Sequence, residues 1–388
     1  MRIGIITDET DTGDLGSPQT PKQLVGFGYY TLNLVRNILL QDKKNEYYLI
    51  HRRKEDHEIY KMGAREIIIP YNPRFPFSTI RNFIALPLTL RKYNLDVVHH
   101  LASIGPFFFK PLIKGKSVQT IHELLPLRYP ESFELPVRLA FRLLLPKIAR
   151  NADYIFTACT PSKIDIGRRF KVPLSKIGVI FPGTDPRITR LDKESSRKRL
   201  RAKYGIKGRY MLFVSTLEAK KNIPTLLKAY KKLRERGLTQ TLVLVGKKGY
   251  GYDQIATAIS ELKLKNNVAL PGYVPLEDLS AFYSGADAFV FPAFDAGNIT
   301  IADAMKCGCP VIAADGGENF LEAYGDACVR VGTNDIDGYV AAVERIIKDR
   351  RFAELMIRKG LAQARKLTWK ESALQTIAVY EKLGSGAI

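Results

Sequence analysis

The sequence predicts an α/β protein of two doubly wound domains, each a parallel sheet covered by helices. Three observations predict it. The chain has 388 residues, which at roughly 150 residues per domain suggests two. Short apolar, β-branched segments alternate with helical patterns in two successive runs. Between the runs lies a basic, apolar-poor stretch, RITRLDKESSRKRLRAKYGIKGR at 187–209, preceded by the Pro-Gly turn signal of FPGTDP at 181–186. The expected domains are therefore 1–185 and 186–369.

In the first run, strands are expected at 1–7, 47–50, 66–69, 96–99, 117–121, 153–157 and 177–180. They are short and apolar throughout, as suits strands buried on both faces. Helical patterns intervene at 27–40, 79–92, 135–149 and 161–170. The second run reads YMLFV, a helix from Ile223, TLVLVG, a helix near 253–263, NVALPG, a helix near 276–283, DAFVFP, a helix after Asn298, and CPVIAA. Helical patterns fill the remainder to the C-terminus. Ligands in such sheets bind beyond the carboxyl ends of the strands, and two facing domains make the cleft between them the natural site.

Bulk composition excludes several classes. Four cysteines, Cys159, Cys307, Cys309 and Cys328, make no disulfide framework in so long a chain and favour a reducing compartment. Cys307-Gly308-Cys309 reads as a helix end and turn. MRIGIITDE opens as a strand, without a signal-peptide pattern. The longest apolar runs, such as FIALPLTL at 83–90, fall short of the roughly 18 residues a spanning helix needs. A cytoplasmic protein is expected, soluble or peripheral on the inner face of the membrane. The formal charge of +21 admits nucleic acid, an anionic membrane surface, a phosphate-rich substrate or simply a lysine-rich exterior.

The most informative stretch is FDAGNITIADAMKCGCPV at 294–311. A strand, DAFVFP, leads through a Gly-Asn corner into a helix, for which Asn298 and Thr300 are both plausible caps. The first-turn amides near Ile299–Ile301 would offer an anion site. Asp295 before that turn and Asp303 early in the helix could flank one ligand, with one carboxylate on sugar hydroxyls and the other on a ribose diol. Asp303 is also favourable simply as an acid near a helix N-terminus.

These residues resemble the retaining GT-B glycosyltransferases of family 4, whose motif EGFGLPxLEAMAxGxPV stands here as DAGNITIADAMKCGCPV. The eight-residue offset, the Ala-Met pair and the closing Gly-Cys-Pro-Val match. Both family glutamates are aspartates, shorter by one methylene, about 1.5 Å. LFVSTLEAKKNIPTLLKAYKKL at 212–233 resembles LYVGTLEPRKNLxxLLxAYxxL, with Lys221 on the lysine that neutralises the leaving diphosphate and Lys220 where arginine is usual. Ser215 replaces the customary glycine, and Thr216 stands where other branches place a phosphate-gripping arginine. NVALPGYVPLEDLSAFYSGADAFVFP at 267–292 resembles VxFxGYVxxEDLxxLYxxADxFVFP, which implies that the backbone at Tyr273 and Val274 meets the nucleotide base. Gly246, ending TLVLVG, joins the expected donor-binding set. Glu322 falls on the glutamate of LPEVVGDAALxV. Trp369 opens the closing helix, and the resemblance implies that 370–384 returns to the first domain.

In the first half, GFGYYTLNLVRNILL at 26–40 resembles GIGRYTxNLLxxL, with Gly26 and Gly28 expected before a helix, where backbone can approach a diphosphate. TIHELLPLRYPESF at 120–133 resembles TIHDLxPLxxPExF, placing His122 near the reacting sugar carbon. FTACTPSKIDIGRRF at 156–170 resembles the helix start SxxSKxDLxxxF.

The resemblance implies transfer of a hexose from a nucleotide-diphosphate donor, GDP-mannose as the first guess, to a hydroxyl of a glycan or lipid-linked acceptor, with retention. The catalytic set would be His122, Asp295 and Lys221. No cofactor and no metal are expected, because Lys221, the helix amides and the Gly26–Gly28 backbone carry the positive charge. Asp335-Ile336-Asp337 reads as a helix cap. IGPFFFKPLIKGK at 104–116, RNFIALPLTLRK at 81–92 and VRLAFRLLLPKIAR at 137–150 mix apolar and basic residues. They suit either an anionic lipid surface or ordinary sheet-covering helices.

A dinucleotide-dependent oxidoreductase is set aside, because DETDTGDLG replaces the Gly-x-Gly-x-x-Gly expected after the first strand. A nucleic-acid binder is set aside because the basic stretch carries one aromatic, Tyr204. A GT-B nucleotide-sugar epimerase and a non-catalytic relative remain as alternatives.

Overall fold

A computed structural model describes residues 1–10, 26–54, 56–70, 77–293, 299–315 and 322–387. Two compact units emerge. Met1–Arg128, Leu135–Pro182 and Trp369–Ile388 make the first; Tyr129–Glu134 and Gly183–Thr368 make the second.

In the first unit the apolar segments form seven strands: β1 (Arg2–Ile6), β2 (Glu46–His51), β3 (Arg65–Ile68), β4 (Val97–His100), β5 (Lys116–Thr120), β6 (Tyr154–Thr157) and β7 (Ile177–Val179). Each expected segment is a strand, and no end moves by more than one residue. All pairs are parallel, in the order β3-β2-β1-β4-β5-β6-β7. Connections from β3 through β7 advance one way across this sheet, whereas β1 to β3 advance the other way. Right-handed crossovers put the two sets on opposite faces. Accordingly, helix Phe27–Gln41 packs with helix Trp369–Gly384, and turn Phe107–Leu112 packs with segments Arg81–Ala85 and Leu145–Asn151.

Two of these connections contain a wider π turn, at Arg81–Ala85 and at Ala140–Leu144. Each is followed at once by a proline in the helix, Pro87 or Pro146. A proline ring clashes with the carbonyl four residues back, here Phe83 or Arg142, and the extra residue in the turn relieves it.

The second unit holds β8 (Tyr210–Val214), β9 (Thr241–Val245), β10 (Val268–Gly272), β11 (Ala288–Phe291), β12 (Val311–Ala314) and β13 (Val329–Val331). Their order is β10-β9-β8-β11-β12-β13, again parallel. Strand β13 corrects the expectation of helix alone after β12. It is a three-residue edge strand, too short for a visible period of two.

The basic stretch also contains a helix the sequence reading did not assign, Lys193–Tyr204. Asp192 caps it, accepting the Ser195 N–H at 2.8 Å, and Gly205 ends it at φ 68°. Only Ser196 and Leu200 on it are buried. It docks on helix Leu276–Gly285 through charge. Asp278, fully buried, receives Arg199 at 2.5 Å, Lys203 at 2.6 Å and the Tyr204 hydroxyl at 2.5 Å. Asp287 receives Lys193 at 2.9 Å, Arg197 at 2.8 Å and Arg209 at 2.7 Å. Part of the basic excess is thus the counterweight of two buried acids.

Asp335 caps helix Ile336–Lys348, accepting the Gly338 N–H at 2.8 Å, and Asp337 pairs with Lys232 at 2.9 Å. Gly308, at φ 70°, ends helix Ile299–Lys306, and the Cys309 N–H donates back to the Ala304 carbonyl.

Candidate active site

In the second unit the strand order reverses direction between β8 and β11. Crevices for ligands form at such switch points, beyond the carboxyl ends of the strands. The loop leaving β8 carries Ser215, Thr216, Lys220 and Lys221. β11 leads toward helix Ile299–Lys306. Asp295 and Asn298 lie outside the described residues.

The loops leaving β8 and β9 pair with each other. The Leu217 N–H donates to the Lys247 carbonyl at 2.8 Å, Gly249 to Leu217 at 2.9 Å and Ala219 to Tyr250 at 2.9 Å. Gly246 makes this approach possible. Its φ is 148°, and a side chain there would put a Cβ 1.8 Å from the Ser215 oxygen. The Gly246 N–H donates to the Gly272 carbonyl at 2.9 Å, so backbone from β8, β9 and β10 meets at one edge. Tyr273 and Val274 follow directly. Val274 is buried, and burial raises the Tyr273 phenol above its ordinary value. Sequence reasoning missed Lys247 to Tyr250, although the Gly-Lys-Lys-Gly run after a strand was a usable signal.

Lys220 lies 3.6 Å from Glu218. Lys221 is only 4% exposed, rare for a lysine. Its Nζ lies 5.4 Å from the ring centre of Phe291, the last residue of β11, so the side chain crosses the switch point from one loop to the next strand. Asn222, at φ 50°, turns the chain into helix Ile223–Glu235, and its Nδ2 donates to the Thr333 carbonyl at 2.9 Å.

Ile299 and Thr300 open helix Ile299–Lys306 and are half-buried. Asp303, in the second turn, is 4% exposed, and it accepts the Asp185 N–H at 3.3 Å. Burial pushes its carboxyl up to about 8, and the Asp185 N–H offsets this only in part. Asp185 is itself fully buried, gripped by Arg187 at 3.0 and 2.8 Å, while Lys306 donates to its carbonyl at 2.6 Å. Asp185 and Arg187 were not in the expected set. They sit in the segment between the two sheets, where pattern carries no signal for a buried contact.

In the first unit His122 stands two residues beyond β5. Its Nε2–H donates to the Leu101 carbonyl at 2.9 Å. The Phe27 ring stacks on it at 4.5 Å, and the Tyr30 ring meets it edge-on at 4.6 Å. Tyr30 in turn abuts Trp369 at 5.4 Å. Gly26 is exposed with φ 53°, whereas Gly28 is buried inside helix Phe27–Gln41 rather than ahead of it. The expected His122, Gly26 and Gly28 are thus brought together at one helix start. The aromatics that hold the imidazole were missed, since Phe27 and Tyr30 look like ordinary core positions in sequence. Behind them His99, fully buried, bonds Tyr380 at 2.6 Å and Thr120 at 2.8 Å; burial first, then its histidine neighbours, drive it well below its ordinary value.

Two doubly wound parallel sheets, of seven and six strands, define an α/β protein of the GT-B class. Anabaena HepE, solved in complex with UDP and glucose, has the same fold: TM-score 0.75, 15% identity, covering 98% of this chain and 100% of that one. The family model for glycosyltransferase family 4 matches residues 26–187, and that for glycosyl transferases group 1 matches 196–363. The chain belongs to these glycosyltransferases. It is 27% identical over 377 residues to O-antigen chain mannosyltransferase B of Escherichia coli, covering 93% of this chain and 97% of that protein. It is also 27% identical over 225 residues to a GDP-mannose-dependent alpha-(1-6)-phosphatidylinositol monomannoside mannosyltransferase of Mycolicibacterium smegmatis, covering 55% of this chain and 58% of that protein. The expectation of a mannosyltransferase-like glycosyltransferase stands.

Proposed function

We propose that the enzyme transfers mannose from GDP-mannose to a hydroxyl of a glycan or lipid-linked acceptor, with retention at the anomeric carbon, on the inner face of the membrane. The observation that carries this reading is the buried Lys221 at the switch point, in a chain aligned with a mannosyltransferase over nearly its whole length. The GDP-mannose guess is supported by the Mycolicibacterium relative's name.

The difficult part of the reaction is the charge that develops on the leaving diphosphate. Lys221 and the first-turn amides at Ile299 and Thr300 stabilise it, with Lys220 adding charge nearby. Ser215, Thr216 and Gly246 let backbone approach the phosphates, and Tyr273 and Val274 present backbone to the base. Asp303 holds the ribose diol. In the first unit His122 and the helix start at Gly26 orient the donor's sugar and phosphate, while Asp295 of the second unit takes the sugar hydroxyls. The acceptor proton passes to a phosphate oxygen of the donor as the sugar–oxygen bond breaks. A fixed lysine can do the work of a divalent cation here, so chelation with EDTA should leave turnover unchanged.

The test is a panel of GDP-, UDP-, ADP- and dTDP-sugars, following nucleoside diphosphate release and the anomeric proton of the product. Release from GDP-mannose with an axial product linkage supports the reading. Turnover confined to another nucleotide sugar, inversion, or epimerisation without release overturns it.

A further inference from the structure

We propose that one face of the first unit is a docking surface for an anionic lipid bilayer. The proposal sharpens the membrane-side location given above. It stands on exposure and charge, independent of which sugar is moved.

The connections β3 to β4, β4 to β5 and β5 to β6 share one face of the sheet. On the first, Ile80, Ile84 and Leu88 are 45%, 43% and 43% exposed, spaced four apart, so they form one stripe. On the third, Leu135, Leu139 and Leu143 repeat the spacing at 59%, 45% and 63%. The inward residues of the same segments, Phe83, Leu86, Leu90, Phe141, Leu145 and Ile148, fill the core. Both helices are therefore apolar toward the sheet and again toward the outside, which a sheet-covering helix in water does not need.

The second connection links the two stripes. Phe108 packs beside Phe83, the exposed Phe109 abuts Phe108, and Lys147 from the third connection lies over both rings, at 4.3 and 5.4 Å.

Charge names the occupant. Residues 77–93 carry Arg81, Arg91 and Lys92, and residues 135–151 carry Arg138, Arg142, Lys147 and Arg150; neither span contains an acid. Arg91, Lys92, Arg138, Arg142, Lys147 and Arg150 are exposed beside the stripes. Exposed leucines flanked by these basic side chains, with the exposed Glu134 only at the border before Leu135, fit an interface of acyl chains under anionic headgroups. No helix among the described residues is long and apolar enough to cross a membrane, so contact would be with the surface alone.

The test uses the full chain without substrate. Its co-sedimentation is measured with phosphatidylcholine vesicles, with and without roughly one part in three phosphatidylglycerol. Wild type should bind the anionic vesicles, and Leu139→Glu/Leu143→Glu should weaken that binding about tenfold or more. Leu374→Glu, 42% exposed on helix Trp369–Gly384, should not. All three proteins should release GDP from GDP-mannose equally, which separates failure here from failure of the assigned reaction. No binding to anionic vesicles overturns the proposal. So does equal weakening by the two variants. So does a wild-type dimer in solution that Leu139→Glu/Leu143→Glu dissociates, since a second copy would then cover the face.

Discussion

Two regions of the second unit bury charge in different ways. Around helix Lys193–Tyr204, the buried acids Asp278 and Asp287 are each surrounded by three cationic or phenolic partners. Burial alone would raise Asp278, but hydrogen bonds from Lys203, Tyr204 and Arg199 outweigh it and hold the carboxyl below its ordinary value. Asp287 is likewise held down against its burial, chiefly by Lys193 and Arg209. At the strand ends, Asp303 is as deeply buried, yet it accepts a backbone N–H at 3.3 Å and is pushed up to about 8. Lys221 is buried there against an aromatic ring. The first region completes its charges within the protein and so holds a helix in place. The second holds a carboxyl whose burial outweighs the N–H it accepts, a perturbed group of the kind that clusters at functional sites.

The comparison breaks most sharply at Lys221. Lys221→Ala should lower kcat/KM for the donor by about 100- to 1,000-fold, on the scale of losing one fixed group that stabilises the leaving charge. If steady-state kinetics show an intact kcat/KM, the strand-end region is not where the diphosphate is stabilised.

The other region should behave inversely. Asp278→Ala leaves Arg199, Lys203 and Tyr204 without their shared acceptor. Arg199 and Lys203 are about half exposed and can turn to water, so the cost is about 2 kcal/mol rather than the larger sum for a fully enclosed triad. Denaturant unfolding should show that loss, with donor kcat and KM unchanged. A large activity defect at full stability would mean that the two regions are not separate.

How far this contrast could be foreseen depends on its physical origin. The seven strands of the first unit were legible because a strand buried on both faces writes an unbroken apolar run. Lys221 was legible through the motif around it, and so were Gly246 and Asp303. Helix Lys193–Tyr204 was not, because with two buried residues it writes no apolar period, and the acids that hold it lie some 75–90 residues away in sequence. Strand β13 was too short to show. Asp185 was hidden for a related reason: a carboxylate that meets another element through its backbone N–H has no side-chain signature. Phe27 and Tyr30 beside His122 were visible as aromatics but not as neighbours of that imidazole, since residues 27 and 122 meet only once β1 and β5 share a sheet.

A pH-dependent effect tests the electrostatic half of the contrast directly. Asp303 is protonated in the fold up to pH about 8, whereas in the unfolded chain it ionises near 3.9. Folding therefore takes up a proton between those values. The stability this group contributes is fully present below about pH 4 and is lost progressively as pH rises toward 8. Asp303→Asn cannot ionise in either state. The two proteins should be equally stable near pH 4, and the variant should gain on wild type by about 1 kcal/mol per pH unit above pH 5. Urea unfolding at several pH values reads the difference. Asp278 and Asp287 act in the opposite sense: with folded values below the ordinary range, they lose stability as pH falls, in both proteins alike. Parallel pH curves for wild type and Asp303→Asn would mean that the strand-end carboxylate is ionised after all, paired as fully as its counterparts under helix Lys193–Tyr204.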